Sequence, residues 1–261
     1  MKFDELDGAM RAYETARDPS ALPGVYLVAR IDGRSFTRLT KETMAYERPF
    51  DERFRDAMIA TVEHLMSCGF QVVFGYTQSD EISLLFGRDE DSFGRNIRKW
   101  TSILAGEASA AFALRIGRVA AFDCRVIELP TRKLVVDYFR WRSEDAHRNA
   151  LNAWCYWKLR DEGRDVAAAT KQLEGMTVAA KNELLFQRGT NFNDLPAWQR
   201  RGVGVLWEEY DKQATNPRTG EPAVARRRRL RTLLELPMRD EYSAFVAGLL
   251  GSERFDDEDG E

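Results

Sequence analysis

The stretch "FGYTQSDEISLLF", residues 74 to 86, constrains the fold more than any other part of the chain. Two short runs, "QVVFGY" and "EISLLFG", flank the polar "TQSD". Short apolar runs rich in β-branched and aromatic residues, joined by a polar turn, read as a β-hairpin. The segments on either side follow a different period. In "DERFRDAMIATVEHLMSCGF", Phe54, Met58, Val62 and Leu65 recur on one side of a helix and Gly69 marks its stop. "SFGRNIRKWTSILAGEASAAFAL" reads as a second helix. Outside both lie strand-like runs, Val25 to Ile31 ending at Asp32-Gly33, and "VAAFDCRVIELP". Strand, helix, hairpin, helix, strand is the βαββαβ order of a split α+β sheet with its helices on one face.

Residues 3 to 17 predict a further helix, with Phe3, Leu6, Met10 and Tyr13 sharing a side. The second half is more helical. "SEDAHRNALNAWCYWKLRDEG" is one helix with Ser143 as its cap, and "DVAAATKQLEGMTVAAKNELLF" holds two shorter ones. "RGTNFNDLP" is a loop, "GVGVLWEEYDK" a strand, and "ATNPRTGEPA" a turn. The acidic end "GSERFDDEDGE" is expected to fray. Residues 1–140 form the catalytic core in this reading, and 141–261 a helical and mixed extension packed on it as one structural unit.

Asp80 and Glu81 stand at the hairpin tip, and Asp32 ends the first strand. In the expected sheet that strand lies beside the hairpin, so Asp32 and Asp80 converge. Two like charges in one place need compensation. The rest of the composition narrows what compensates them. Histidines are two, His64 and His147, and the cysteines Cys68, Cys124 and Cys155 form no C-x-x-C pair, so a thiolate or imidazole metal centre is excluded. Oxygen ligands suit magnesium, which also takes substrate phosphates. A pair of such ions is a clamp for phosphoryl or nucleotidyl transfer. Gly33, lacking a Cβ, lets a carbonyl or triphosphate approach. Gln78 and Ser79 are phosphate donors, and Arg30, Arg34, Arg48 and Lys99 are the nearest basic residues in sequence. Taken singly, Asp-Gly is a turn and Asp-Glu a solvated tip; the combination suggests a magnesium-dependent nucleotide enzyme.

Four segments in this order, "ARIDGRSF", "GYTQSDEISLLF", "WRSEDAHRNALNAWCYW" and "AAKNELLF", resemble the tRNA-histidine guanylyltransferase family and its 3′-to-5′ polymerase branch over residues 25 to 207. The resemblance implies a polymerase-palm-like domain that adds nucleotides to tRNA 5′ ends. It implies activation of a 5′-monophosphate with ATP, attack by the 3′-hydroxyl of GTP or another NTP, and departure of AMP, or of pyrophosphate from a triphosphate end. It implies two Mg2+ ions held by Asp32, Asp80 and the Gly33 carbonyl, with Glu81 beside them as a further catalytic acid. Arg30, Ser79, Lys99, Lys181 and Asn191 match triphosphate-contacting positions, and His147 and Asn149 positions near tRNA or a second nucleotide. A homotetramer, a dimer of dimers, is also implied.

Several residues depart from the family pattern: Thr37 replaces a His, Arg48 a Lys and Cys124 a Gly, and "HRNALNA" is a shortened motif. They bear on histidine-tRNA specificity rather than on the ligands, and point to templated repair of 5′-truncated tRNA; the alternative is addition of one G to histidine tRNA. A nucleotide cyclase and a catalytically idle tRNA-binding protein remain as readings from other classes.

Arg226, Arg227, Arg228 and Arg229, with Arg231, are either tRNA-phosphate contacts or the solvated side of an amphipathic helix carrying Leu230, Leu233 and Leu234. Trp154 and Trp157 read as packing, His64 as structural, and the cysteines as fillers. The net charge of -3 gives no global bias toward a polyanion. The first residues show no leader, and no run reaches the roughly 18 apolar residues of a membrane span. The cytoplasm is the expected location.

Overall fold

The computed structural model describes residues 2–215 and 221–251. The expected order is present: β1 (Tyr26–Gly33), a one-turn α2 (Phe36–Arg38), α3 (Glu52–Leu65), β2 (Val72–Gln78), β3 (Glu81–Phe86), α4 (Ile97–Ile116) and β4 (Phe122–Leu129). Before it comes α1 (Phe3–Thr15). After it come α5 (Arg132–Asp161), α6 (Val166–Leu173), α7 (Val178–Phe186), α8 (Ala197–Arg201), β5 (Val203–Thr215), β6 (Pro222–Leu233) and α9 (Arg239–Leu249). The strands form one antiparallel sheet in the order β4-β1-β3-β2-β5-β6.

α3 and α4 pack on one face, as expected of the βαββαβ unit. Met58, Val62, Leu65, Trp100, Leu104, Ala108 and Phe112 bury there against Leu27, Ala29, Ile31, Ile82 and Leu84. The C-terminal half covers the other face, where Val135 and Phe139 of α5 and Tyr242 and Val246 of α9 meet Val28, Phe74, Tyr76 and Leu85. Such burial contributes about 1.5–3 kcal/mol per large apolar side chain, so the sheet is held from both sides. A third cluster joins the C-terminal half of α5 to α6 and α7 through Leu151, Cys155, Leu159, Leu173 and Leu185.

Three local expectations are corrected. α5 begins at Arg132, capped by the Thr131 hydroxyl, and Ser143 lies buried in its middle. Val135 and Phe139, four apart, give the earlier turns their own apolar side, so the helix runs unbroken through 140 and 141. Glu81 is the first residue of β3 rather than part of the turn, which is Ser79-Asp80 alone. Finally, 226 to 229 lie on a strand. Arg226, Arg227, Arg228 and Arg229 face Asp211, Tyr210, Glu209 and Glu208 across the β5–β6 pair. On the strand, β5 offers three of them an acid and the fourth a ring. The turn read at 214 to 223 and the acidic end fall largely outside the described residues.

Candidate active site

Register brings the acids together. Asp32 pairs with Glu81 on one side and Asp123 on the other, and the Gly33 amide donates to the Asp80 carbonyl at 3.0 Å. Residues directly opposite in antiparallel strands share a face, so Asp32, Glu81 and Arg30 all project toward α5. Asp80 sits at the two-residue turn after Ser79, whose φ of 52° is left-handed. A non-glycine residue there costs about 1–2 kcal/mol, and the flanking pair Gln78 and Glu81 holds it in place.

Glu81 is fully engaged. Arg30 donates to Oε1 and Arg142 of α5 to Oε2, and Arg142 also reaches Asp145 at 3.3 Å. The Arg142 side chain is only 6% exposed. Both oxygens of Glu81 are thus held by guanidiniums, so Glu81 fixes the arginines around the site. Asp80 differs. Burial raises its carboxyl above the ordinary range, the Ser79 hydroxyl bond at 2.9 Å opposes that rise, and the negative charges of Asp32 and Glu81 add to it. No basic side chain pairs with Asp80 among the described residues. Asp32 has Arg30 at 3.5 Å. Two carboxylates of one sign, one of them without a cation, plus the neighbouring Gly33 carbonyl, make an all-oxygen donor set that suits a hard divalent ion. Among the described residues no cluster of three or more His, Cys, Asp or Glu side chains forms a metal cage. A two-carboxylate set, completed by carbonyl, water and phosphate, needs none.

The missing Cβ of Gly33 also has a packing role. A Cβ there would lie 2.5 Å from the Phe36 ring. Phe36 is buried among Phe54, Phe112 and Phe122, at ring separations of 6.1, 5.1 and 4.9 Å. The space is filled by the protein's own aromatic cluster, which braces the end of β1 from the α3–α4 side.

Two adjoining pockets open at the hairpin tip. One is lined by Pro49, Phe50, Ser79, Asp80, Glu81 and Asn149. The other shares Pro49, Phe50 and Ser79 and adds Tyr46, Phe54, Asp51 and Trp198. The second has aromatic walls, with Phe50 edge-on to Trp198 at 6.1 Å. Acids beside an aromatic cleft can hold a triphosphate and a base together. Asp51 is part of the frame: its carboxylate caps α3 through the Arg53 amide at 2.7 Å and accepts the Glu47 amide at 2.7 Å.

Of the residues expected at the site, Asp32, Gly33, Ser79, Asp80, Glu81, Arg30 and Asn149 are brought together. Arg48 stacks on Trp157 at 4.3 Å, just before the lining Pro49, and Lys181 donates to Asn152 at 2.9 Å, beside Ala153 of the pocket wall. Others are elsewhere. Arg34 lines a separate groove with Arg38 and Arg118. Asn191 is engaged in a local cap, bonded to the Asn193 amide and to Asp194. Lys99 is at the opposite end of the sheet from the acids of the same chain. The start of α4 is tied to residues ahead of β1 by Ile97 to Pro19, while Gly33 pairs with Phe122 beyond the far end of this 20-residue helix, about 30 Å long. His147 lies two positions from Asn149, on another side of α5, against Phe192. Burial and then Arg200, Arg201 and Arg239 lower its pKa. Arg226 to Arg229 are on the β5–β6 pair. Sequence reasoning missed Arg142, Tyr46, Phe50 and Trp198, because nothing in their local spacing ties them to the acids.

Comparison with known proteins agrees with this architecture. A family model described as "tRNAHis guanylyltransferase" matches residues 7–130, and one for the C-terminal domain of the same family matches residues 133–236. A probable tRNA(His) guanylyltransferase of Drosophila melanogaster is 34% identical over 216 residues, 77% of this chain and 75% of that one. The tRNA(His) guanylyltransferase of Debaryomyces hansenii is 31% identical over 208 residues, 75% of this chain and 78% of that one. A solved bacterial tRNA(His) guanylyltransferase-like protein in complex with GTP superposes with a TM-score of 0.72 at 26% identity, covering 95% of this chain and 99% of that one. The Saccharomyces cerevisiae tRNA(His) guanylyltransferase gives 0.71 at 26% identity, over 78% and 93%.

Proposed function

The chain belongs to the tRNAHis guanylyltransferase family, and on that premise we propose that it transfers nucleotides from NTPs to the 5′ end of tRNA, building in the 3′-to-5′ direction. The observation that carries the reading is the meeting of Asp32 and Asp80, with Asp80 lacking a cationic partner among the described residues, beside an aromatic cleft. Asp32, Asp80 and the Gly33 carbonyl would hold magnesium. When bound, it would supply positive charge to the triphosphate and to the reacting 5′ phosphate. The remaining work belongs to the chain. Ser79 offers a hydroxyl at the tip. Arg30 and Arg142 are locked on Glu81, which keeps a third carboxylate from competing for the ion. Tyr46, Phe50 and Trp198 take the base. A 5′-monophosphate end is first adenylylated by ATP, with pyrophosphate released; the 3′-hydroxyl of the incoming nucleotide then attacks the 5′ phosphorus and AMP leaves, whereas a 5′-triphosphate end is attacked directly and loses pyrophosphate. GTP- and ATP-bound relatives of the same fold support NTPs as substrates.

Repair of 5′-truncated tRNA is the specific role in this reading, supported by the departures at Thr37, Arg48 and Cys124; addition of a single G to histidine tRNA is the alternative. Assembly into a homotetramer is part of it, supported by the α1 stripe Phe3, Leu6, Met10 and Tyr13, which is 45–80% exposed. Labelled NTP, magnesium and tRNAs lacking their first nucleotide provide the test. We expect label on the tRNA 5′ end, lost in Asp32→Asn and Asp80→Asn with the fold retained. Cyclic nucleotide, or tRNA retained without label, would replace this function with one of the other two classes. Full activity in either variant would refute the ligand assignment.

A further inference from the structure

Arg142, Asp145 and Asn149 follow one another on α5 at intervals of three and four, which places them on one side of the helix. Arg142 holds Oε2 of Glu81, and its other terminal nitrogen reaches Asp145 Oδ2 at 3.3 Å. The same oxygen accepts the Asn149 Nδ2 group at 3.2 Å. With Arg30 on Oε1 of Glu81, a chain of alternating charge runs from β1 through β3 to α5 and ends on an amide. The Arg142 side chain is 6% exposed and that of Asp145 28%, so these links are held largely out of bulk water.

Asn149 is the end of the chain that a ligand can meet, since it lines the pocket of Ser79, Asp80 and Glu81. A side-chain amide carries donor hydrogens on its nitrogen and lone pairs on its oxygen, whereas an ionised carboxylate only accepts. Asp145 therefore sets the orientation: the nitrogen faces it and the oxygen is turned away. Among the described residues nothing donates to that oxygen. The pocket wall thus offers an acceptor at Asn149, where a phosphate would need a donor. Neighbouring groups are already committed. The Ser79 hydroxyl donates to Asp80, and both Glu81 oxygens are on guanidiniums.

A nucleotide has few donors to match this acceptor. Its phosphates only accept. Its base has N–H groups, but in the reading above the base occupies the aromatic cleft of Tyr46, Phe50 and Trp198. The sugar hydroxyls remain, and they lie between phosphate and base. The pocket of Asn149 stands in the same relation, because it holds the acids and shares Pro49, Phe50 and Ser79 with the cleft.

We infer that Asn149 Oδ1 accepts a hydrogen bond from a sugar hydroxyl of the bound nucleotide, and that Asp145 is the residue that positions it. This rests on NTPs being the substrates of the site. The test is equilibrium binding of GTP, 2′-deoxy-GTP and 3′-deoxy-GTP, each with magnesium, to the full chain. One hydrogen bond between neutral groups is worth about a three- to tenfold factor in Kd. One of the two analogues is expected to bind more weakly than GTP by about that factor, and which one it is tells whether the 2′ or the 3′ position is read. Asn149→Ala is expected to weaken GTP by about three- to tenfold and to leave that analogue unchanged, so the preference disappears. Asp145→Leu keeps Asn149 but frees its amide to turn, and the preference is expected to shrink there too. Circular dichroism checks folding; Asn149 is exposed, so its replacement carries the test if Asp145→Leu does not fold. Equal losses for all three nucleotides in Asn149→Ala would make the amide a phosphate donor or a structural group and overturn the inference. A preference that survives Asn149→Ala, or native protein that binds all three equally, would overturn it as well. A preference lost in Asn149→Ala but kept in a folded Asp145→Leu would refute the positioning role. Native protein that binds none of the three would instead remove the nucleotide site itself, and this inference with it.

Discussion

Replacing Arg142 with methionine tests how the acid end of the sheet is assembled. Arg142 is 6% exposed and Glu81 24%, so the pair is largely removed from water. At an effective dielectric of 20, charges about 4 Å apart attract by about 4 kcal/mol. Arg142→Met loses that attraction and recovers the cost of desolvating the guanidinium. Glu81 keeps Arg30, but Asp145 loses its partner at 3.3 Å. Breaking a buried pair from one side costs about 3–5 kcal/mol. With Arg30 remaining and Glu81 partly exposed, we expect a loss of about 3 kcal/mol in urea unfolding, at the lower end of that range. Glu81→Gln alone is expected to destabilise as well. The double variant is expected to be more stable than the sum of the two effects predicts, by about 2 kcal/mol. A second readout follows from the released carboxylate. In Arg142→Met, Glu81 is free to compete for a divalent ion, so Mn2+ binding to the nucleotide-free protein should tighten while transfer falls, and Glu81→Gln should reverse the tightening. Additivity within about 0.5 kcal/mol, with Mn2+ affinity unchanged throughout, would refute the idea that Glu81 is held away from the ion by Arg142.

Two further expectations concern the frame around the site. Burial works to raise the Asp51 pKa, but the Arg53 side chain and the Glu47 and Arg53 amides outweigh it and bring it to about 2 from 3.8. A depressed pKa contributes stability that is present above the unfolded value and lost as pH falls through the folded one. The native protein should therefore exceed Asp51→Asn by about 2 kcal/mol at pH 6, with the gap closing between pH values of about 4 and 2; a gap constant across that range in urea titrations would contradict the assignment. Gly33→Ala should cost about 1–3 kcal/mol by overpacking against the Phe36 ring, measured by thermal melting, and Phe36→Leu in the same chain should recover part of it. A neutral Gly33→Ala would mean that the aromatic cluster yields easily there.

Much of this protein follows from local spacing. The short apolar runs on either side of "TQSD", the helical period of Phe54, Met58, Val62 and Leu65, and the acids at strand ends were enough to set the βαββαβ order and to put Asp32 and Asp80 at the ends of neighbouring strands. Each of these is a property of neighbours within about two turns or one strand, where backbone geometry alone dictates which side chains share a face. The contacts that complete the site are not of that kind. Glu81 meets Arg142 across 61 positions, Phe36 fills the space over Gly33, and Trp198 closes a cleft begun by Tyr46 and Phe50. Lys99, three residues into α4, belongs to the other end of the sheet because of the direction in which that helix runs. Arg226 to Arg229, beside Leu230, Leu233 and Leu234, read as an amphipathic helix until β5 supplies partners opposite them on a strand, and only that pairing divides them between two faces. Sequence decided the elements and the acids they carry, since both depend on short-range geometry. Tertiary structure decided which charges are matched and which are left for a ligand, because that depends on register, helix direction and the packing of segments far apart in the chain.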